Sequence, residues 1–266
     1  MKKISVIIPV RNRKENLYGA VKSLLKQSFD KKDFEIVVVD YGGSDDSRKM
    51  LENFRDERIR YIYVDERGIW NLPRARNIGI RRAMGRLIIC MDGDIILSKD
   101  VLEKVYDDFD KRKESVLYQI PRKEITKENK IKSHLPGPFP GCFQGSDRKN
   151  WFKVRGFDER MTGYGYEDGD LVNRMKRIGV KQYWMPSTLK MYHQYHEESF
   201  GAETYVNMIK SLLNFSYKAN DENWGSLKKV LSIPEKMWKI FDSAAIFLIV
   251  KPLKKIKRLV RKLRMR

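Results

Sequence analysis

Asp92-Gly93-Asp94 follows directly on the apolar run Leu87-Ile88-Ile89-Cys90-Met91. A buried strand that ends in two carboxylates brings paired negative charge to the carboxyl edge of a sheet, where open α/β sheets bind ligands. Oxygen ligands of this kind suit a hard divalent cation, and such a cation commonly serves to hold a diphosphate. The glycine between them lets a bulky ligand approach the backbone. The competing reading is a polar strand end that caps the next helix. Two further groups could work with this one. Arg74, Arg76 and Asn77 open a predicted helix, and guanidiniums at a helix start suit a diphosphate, against the reading of a solvated basic turn. His193-Gln194-Tyr195-His196 holds two of the chain's three histidines. A lone histidine is usually structural, but one that joins two carboxylates suits Mn²⁺ or a similar ion.

These residues need elements to carry them. Apolar runs at Ile4–Pro9, Phe34–Val39, Arg60–Val64 and Arg86–Met91 read as strands. They alternate with helical patterns over Glu15–Gln27, from Ser44 to about Phe54, over Pro73–Met84, and over Ser98–Phe109 with Ser98 as cap. That rhythm predicts an α/β fold with a mostly parallel sheet flanked by helices. Val116–Ile120 and Val180–Trp184 read as further strands, and Glu167–Ile178 and Phe200–Lys218 as helices. Residues 121–147, with four prolines and three glycines, read as a long loop that could close as a mobile lid. The first strand–helix turn, Pro9-Val10-Arg11-Asn12-Arg13, lacks the glycines of a dinucleotide-binding fingerprint.

Composition limits the alternatives. The 266 residues are 41% hydrophobic, enough for a full core, and carry a formal charge of +20. Residues 227–266 hold 13 Lys or Arg against Glu235 and Asp242, so most of that charge belongs to the tail. Cys90 and Cys142 form no framework and no metal spacing, which predicts a reducing, cytoplasmic setting. The N-terminus leads straight into a strand without a signal-peptide pattern, and no apolar run is long enough to span a bilayer.

Ile4-Ser5-Val6-Ile7-Ile8-Pro9-Val10-Arg11-Asn12-Arg13, Glu35 to Asp40, Arg74-Ala75-Arg76-Asn77-Ile78-Gly79 and Asp92-Gly93-Asp94 occur in an order that resembles family 2 glycosyltransferases of the GT-A fold. The block from Gly156-Phe157-Asp158-Glu159 to Gly163-Tyr164-Gly165-Tyr166-Glu167-Asp168-Gly169-Asp170-Leu171 resembles the acceptor-side segment of galactosyl- and N-acetylgalactosaminyltransferases, chondroitin-polymerase-like enzymes included. The resemblance implies a nucleotide-binding half over residues 1–120 and an acceptor half over 121–220. It implies that Pro9, Asn12, Asp40, Arg74, Arg76, Asn77 and Asp92 bind the nucleotide sugar. Tyr41 stands where the family has a second acidic residue and could stack on a base. Asp40 also reads as an Asx-turn residue before Gly42-Gly43.

For the metal, Mn²⁺ or Mg²⁺, the resemblance implies Asp94, with Asp92 as a second ligand or a ribose contact and a histidine as third. Tyr192-His193-Gln194 matches the family best there, with His196 as the alternative. Asp168 aligns with the catalytic base, and Glu167 and Asp170 with residues that bind acceptor hydroxyls; helix capping is the competing explanation. Trp151, Tyr164 and Tyr166 are candidates to stack on an acceptor sugar, with a core position as the alternative for Trp151.

The implied activity is inverting, metal-dependent transfer of a hexose or N-acetylhexosamine from a nucleoside-diphosphate sugar, a UDP-sugar by preference, to a glycan or glycolipid hydroxyl. A polyprenyl-phosphate acceptor and a non-catalytic binding role are the alternatives. The tail, residues 221–266, is read as helical, amphipathic and basic. Trp238, Phe241, Phe247 and the lysines and arginines that follow predict association with an anionic membrane surface rather than nucleic acid. The protein is therefore expected to be cytoplasmic and peripheral on the inner face of the cell membrane.

Overall fold

The computed structural model describes residues 2–133, 141–197 and 203–227. The first apolar run forms β1 (Ile4–Val10), buried at every residue. Continuous burial is why it reads as an unbroken apolar run: both faces of a parallel strand are covered. Next come α1 (Lys14–Leu25), β2 (Phe34–Tyr41), α2 (Ser47–Glu52), β3 (Ile59–Val64), α3 (Leu72–Arg82) and β4 (Leu87–Met91). β1 pairs in parallel with β2 and with β4, and β2 with β3. The chain steps outward from β1 to β3 and returns to β4 on the other side. This reversal opens a crevice at the carboxyl ends of β1 and β4. α3 packs close to the sheet because Gly79 has no side chain; a Cβ there would lie 2.2 Å from Ile7 Cγ2.

The remaining elements are β5 (Ile95–Leu97), α4 (Val101–Lys111), β6 (Val116–Gln119), β7 (Arg122–Ile125), β8 (Ile131–Ser133), β9 (Phe143–Asp147), α5 (Arg148–Val154), α6 (Glu167–Arg177), β10 (Lys181–Trp184), β11 (Met191–His193) and α7 (Glu203–Leu213). The main sheet has the order β10-β6-β9-β4-β1-β2-β3, and a smaller one runs β5-β11-β7-β8. Alternate residues of β1 feed two apolar layers. Ile4, Val6 and Ile8 face the layer that contains Leu17 and Val105, and Ile7 faces the layer that contains Ile78 and Trp151. The α/β, mostly parallel architecture expected from the sequence is the one observed.

Three expectations change. Residues 121–147 are not one long loop, since β7, β8 and β9 lie within them. β9 runs antiparallel between β4 and β6 in the main sheet. Its sequence, Phe-Gln-Gly-Ser-Asp, has no apolar alternation; Gln144 and Ser146 are buried, and the Ser146 hydroxyl donates to the Val116 carbonyl. Residues 134–140, where the proposed lid is richest in proline, lie outside the described residues. The helix after β2 starts at Ser47, with the Asp45 carboxylate accepting from its N–H at 3.2 Å; the Ser44 N–H goes to Asn12 Oδ1 at 2.7 Å. The helix after β4 starts at Val101, because Ile95–Leu97 forms β5 and the Ser98 hydroxyl donates to Asp100. Among the described residues no helix is long and apolar enough to cross a membrane. Residues 228–266, which hold most of the proposed membrane segment, and 198–202 at the expected start of α7 lie outside the description.

Candidate active site

A cleft of about 630 Å³ opens at the carboxyl ends of β1 and β4, a volume in the range of small-ligand pockets. Pro9 and Asn12 line it from the end of β1, and Asp92, Gly93 and Asp94 from the end of β4. Arg11, Arg13 and Arg122 line the same walls, with Trp70, Tyr164, His193 and His196. Asn12 adopts a positive φ of 54°, which aims its side chain at the Ser44 N–H and bends the chain out of β1.

The smaller sheet assembles a cluster at one end of the cleft. β5 continues from Asp94, and β11 pairs with it so that His193 lies opposite Ile95. His193 Nε2 is 3.6 Å from Asp94 Oδ1, and His196 Nε2 is 3.0 Å from Asp94 Oδ2. Single ligand atoms from these three residues all lie within 4.8 Å of one another. Asp94 Oδ1 is buried and makes no hydrogen bond, and burying a carboxylate oxygen that way is costly unless something charged meets it. The hydrogen bond to Asp94 raises the His196 pKa above its ordinary value, although burial opposes it. One carboxylate and two imidazoles fit a divalent transition metal. The sequence left His193 and His196 as alternatives; the fold puts both against Asp94. Asp92 is not part of this cluster.

Asp92 belongs to a second cluster, built around Arg76. Its Oδ1 accepts from Arg76 Nη2 at 2.6 Å, Asp168 Oδ1 accepts from Arg76 Nη1 at 2.8 Å, and Glu167 Oε1 is 3.8 Å away. The guanidinium lies over the Phe157 ring at 4.7 Å and is buried. Burial pushes Glu167 up to about 8, with the Asp168 charge adding to it. Burial leaves Asp168 raised as well, with the Asp92 charge adding to the rise and Arg76 and a hydrogen bond to Glu167 opposing it. With its pKa at about 8, Glu167 keeps its proton at neutral pH. The Asp168 side chain is 18% exposed and lies outside the cleft walls, one guanidinium away from Asp92.

Several sequence candidates have structural roles instead. Arg76 is no diphosphate ligand here, since its two terminal nitrogens are taken by carboxylates. Arg74 is buried against Glu159 at 3.2 Å and donates to the Ser226 carbonyl. Asn77 is fully buried, donates to the Phe157 carbonyl and Glu159, and accepts from the Phe157 N–H. All three are buried, and none of them lines the cleft. Tyr41 is buried edge-on to Trp70, so it cannot stack on a base. Asp40 is the Asx-turn residue: it accepts from the Gly43 N–H at 2.9 Å and from the Tyr61 hydroxyl at 2.7 Å. Trp151 is 0% exposed and donates its indole N–H to the Ile88 carbonyl, a core position rather than a sugar platform. Asp170 is buried in an ion pair with Arg174 at 2.7 Å and accepts from Asn214, so it meets no acceptor.

Tyr164 and Tyr166 remain exposed at 53% and 46% beside the positive-φ turn Gly163–Gly165. Arg11, Arg13, Arg122 and Glu124 were missed as site residues. Arg11 and Arg13 flank Asn12 in the first strand–helix turn and were legible from that position. Arg122 and Glu124 carried no signal, because they fall in a stretch read as loop.

Residues 5–213 match the model of Glycosyl transferase family 2, and the chain belongs to that family. A Campylobacter jejuni protein named GalNAc(5)-diNAcBac-PP-undecaprenol beta-1,3-glucosyltransferase is 26% identical over 231 residues, 81% of this chain and 72% of its own length. An uncharacterized glycosyltransferase of Rickettsia conorii is 40% identical over 102 residues, 38% of this chain. The chain spans only about 16% to 34% of the length of such relatives, among them a glycosyltransferase of Streptococcus pneumoniae. The crystal structure of Staphylococcus aureus TarS in complex with UDP-GlcNAc superposes with a TM-score of 0.64 at 18% identity, covering 80% of this chain and 67% of that one. The fold is of the GT-A type.

Proposed function

We propose that this chain is an inverting, metal-dependent hexosyltransferase that uses a nucleoside-diphosphate sugar. The observation that carries the reading is the Asp94–His193–His196 cluster at one end of a cleft lined by three arginines. A divalent cation held by these three residues supplies the positive charge that a departing diphosphate needs. Two imidazoles beside one carboxylate favour Mn²⁺ over Mg²⁺. Arg11, Arg13 and Arg122 line the cleft, as Arg74 and Arg76 do not, and would add positive charge beside the phosphates; Arg11 also donates to the Arg67 and Gly68 carbonyls, and Arg122 to Glu124. Asp168 takes the proton of an acceptor hydroxyl. The acceptor oxygen bonds to the anomeric carbon from the face opposite the diphosphate, whose bond to that carbon breaks. Arg76 opposes the rise in the Asp168 pKa and holds the side chain in place, and Tyr164 and Tyr166 flank the acceptor side.

The acceptor we favour is a lipid-linked glycan, by analogy with the named substrate of the Campylobacter relative. The basic tail would hold the active site at an anionic membrane surface on the cytoplasmic side, where nine Lys or Arg in residues 251–266 contribute about 1 kcal/mol each before screening. Liposome flotation of the full chain and of a chain ending at Pro234 tests the tail. Equal flotation of the two refutes its membrane role. Sugar release from a panel of nucleotide sugars, with and without Mn²⁺, tests the activity. No metal-stimulated release from any donor would overturn the metal-dependent reading.

A further inference from the structure

The two imidazoles of the cluster need a fixed tautomer to present Nε2 to a metal, and the fold supplies a partner for each Nδ1. His196 Nδ1 is 3.0 Å from the Glu197 carbonyl oxygen. His193 Nδ1 is 2.8 Å from Glu124 Oε2. A carboxylate oxygen accepts hydrogen bonds, so His193 donates from Nδ1 to Glu124, and its Nε2, 3.6 Å from Asp94 Oδ1, is left facing Asp94. The backbone register makes the second pairing specific. β7 and β11 are parallel neighbours, with His193 directly opposite Glu124. Arg122, two residues before Glu124 and so on the same face of β7, holds the other carboxylate oxygen: its Nε is 2.7 Å from Glu124 Oε1. Arg122 Nη1 continues the line to Cys142 Sγ at 3.2 Å, and both residues line the cleft. The Glu124 carboxylate is thus fixed at both oxygens, one by a guanidinium and one by the imidazole.

We infer that Glu124 is the positioning residue of the metal site, holding His193 in the Nδ1–H tautomer with Nε2 aimed at the ion. This rests on the metal reading of the Asp94 cluster. Carboxylates that orient a ligating histidine in this way are worth on the order of 10- to 100-fold in metal affinity. A merely structural Glu124 would tie β7 to β11 and leave the imidazole's nitrogen assignment indifferent.

Mn²⁺ affinity of the full chain without donor, read by calorimetry or by the free-ion signal in electron paramagnetic resonance, separates the possibilities. Glu124→Met keeps the side-chain length and removes the acceptor, and should weaken Mn²⁺ by roughly 10-fold or more. Glu124→Gln keeps an acceptor oxygen and should stay within a few-fold of the parent. Equal affinity in the parent and the Met variant overturns the inference, as does a Gln variant as weak as Met. His193→Ala serves as the control for the underlying reading. Unchanged Mn²⁺ binding in that variant defeats the metal assignment itself, whatever Glu124 does. A metal-free readout on the unmodified chain adds an independent check. ¹⁵N nuclear magnetic resonance at about pH 9, where an ordinary imidazole is neutral, should find His193 protonated on Nδ1. A majority of the Nε2–H form overturns the inference without any variant.

Discussion

Asp92 and Asp94 are two residues apart, yet they belong to clusters of opposite construction. Asp94 faces two imidazoles: its Oδ2 is 3.0 Å from His196 Nε2, and its Oδ1 is buried with no hydrogen bond. Asp92 is clamped by Arg76, a buried cation that also holds Asp168 and approaches Glu167. The difference teaches how to read acidic groups in such a site. A carboxylate with an internal counter-cation is part of the scaffold or of the proton chemistry. One that faces two imidazoles and keeps a buried oxygen without a hydrogen bond suits the divalent cation proposed above. Glu124 is a third case, a carboxylate held between the Arg122 guanidinium and the His193 imidazole.

The contrast can be broken most directly at Asp94. Asp94→Ala should abolish Mn²⁺ binding in calorimetry and lower turnover by on the order of 10³-fold, while thermal stability stays near the parent's. Retained Mn²⁺ affinity would mean that the ion sits elsewhere. Arg76→Met should do the reverse. It strands three carboxyl groups without their cation, so urea denaturation should register a loss of about 3 kcal/mol or more, with Mn²⁺ binding by the folded fraction preserved. If stability holds and metal binding is lost, the two clusters are one site and the comparison fails.

Asp168→Asn keeps the shape and removes the base. Donor and metal affinity should survive while kcat falls by on the order of 10²-fold, and steady-state kinetics with a saturating donor measure it. Near-normal kcat would move the base to another residue. A further effect is the pH dependence contributed by Glu167. Its pKa rises from 4.5 to about 8 on folding. Below the unfolded value both states hold the proton; between the two values the unfolded chain loses it and the folded chain keeps it. Stability should therefore fall as pH rises across that window, and Glu167→Gln should flatten the slope. Urea midpoints at several pH values from acid to mildly alkaline check this, and an unchanged slope in the variant would show that Glu167 does not hold the proton.

The sequence by itself determined the alternation of strands and helices in the first half, the placing of Asp92 and Asp94 at a strand end, and the region of the two histidines. These are consequences of local rules: apolar runs form buried strands, strand ends carry polar residues, and β-α alternation gives a parallel sheet. Only the tertiary structure decided which charges meet. Arg76 finds Asp92 sixteen residues away and Asp168 ninety-two away. His193 finds Glu124 sixty-nine away. No periodicity reports contacts across such separations, so α3's arginines read as a phosphate site when their partners are buried carboxylates. The same holds for β9, a polar stretch made into a strand by the hydrogen bonds of β4 and β6, and for Trp151, an aromatic residue drawn into the core by the Ile88 carbonyl. An isolated segment shows what its side chains are able to do; their desolvation and their nearest opposite charge exist only once the chain has closed on itself.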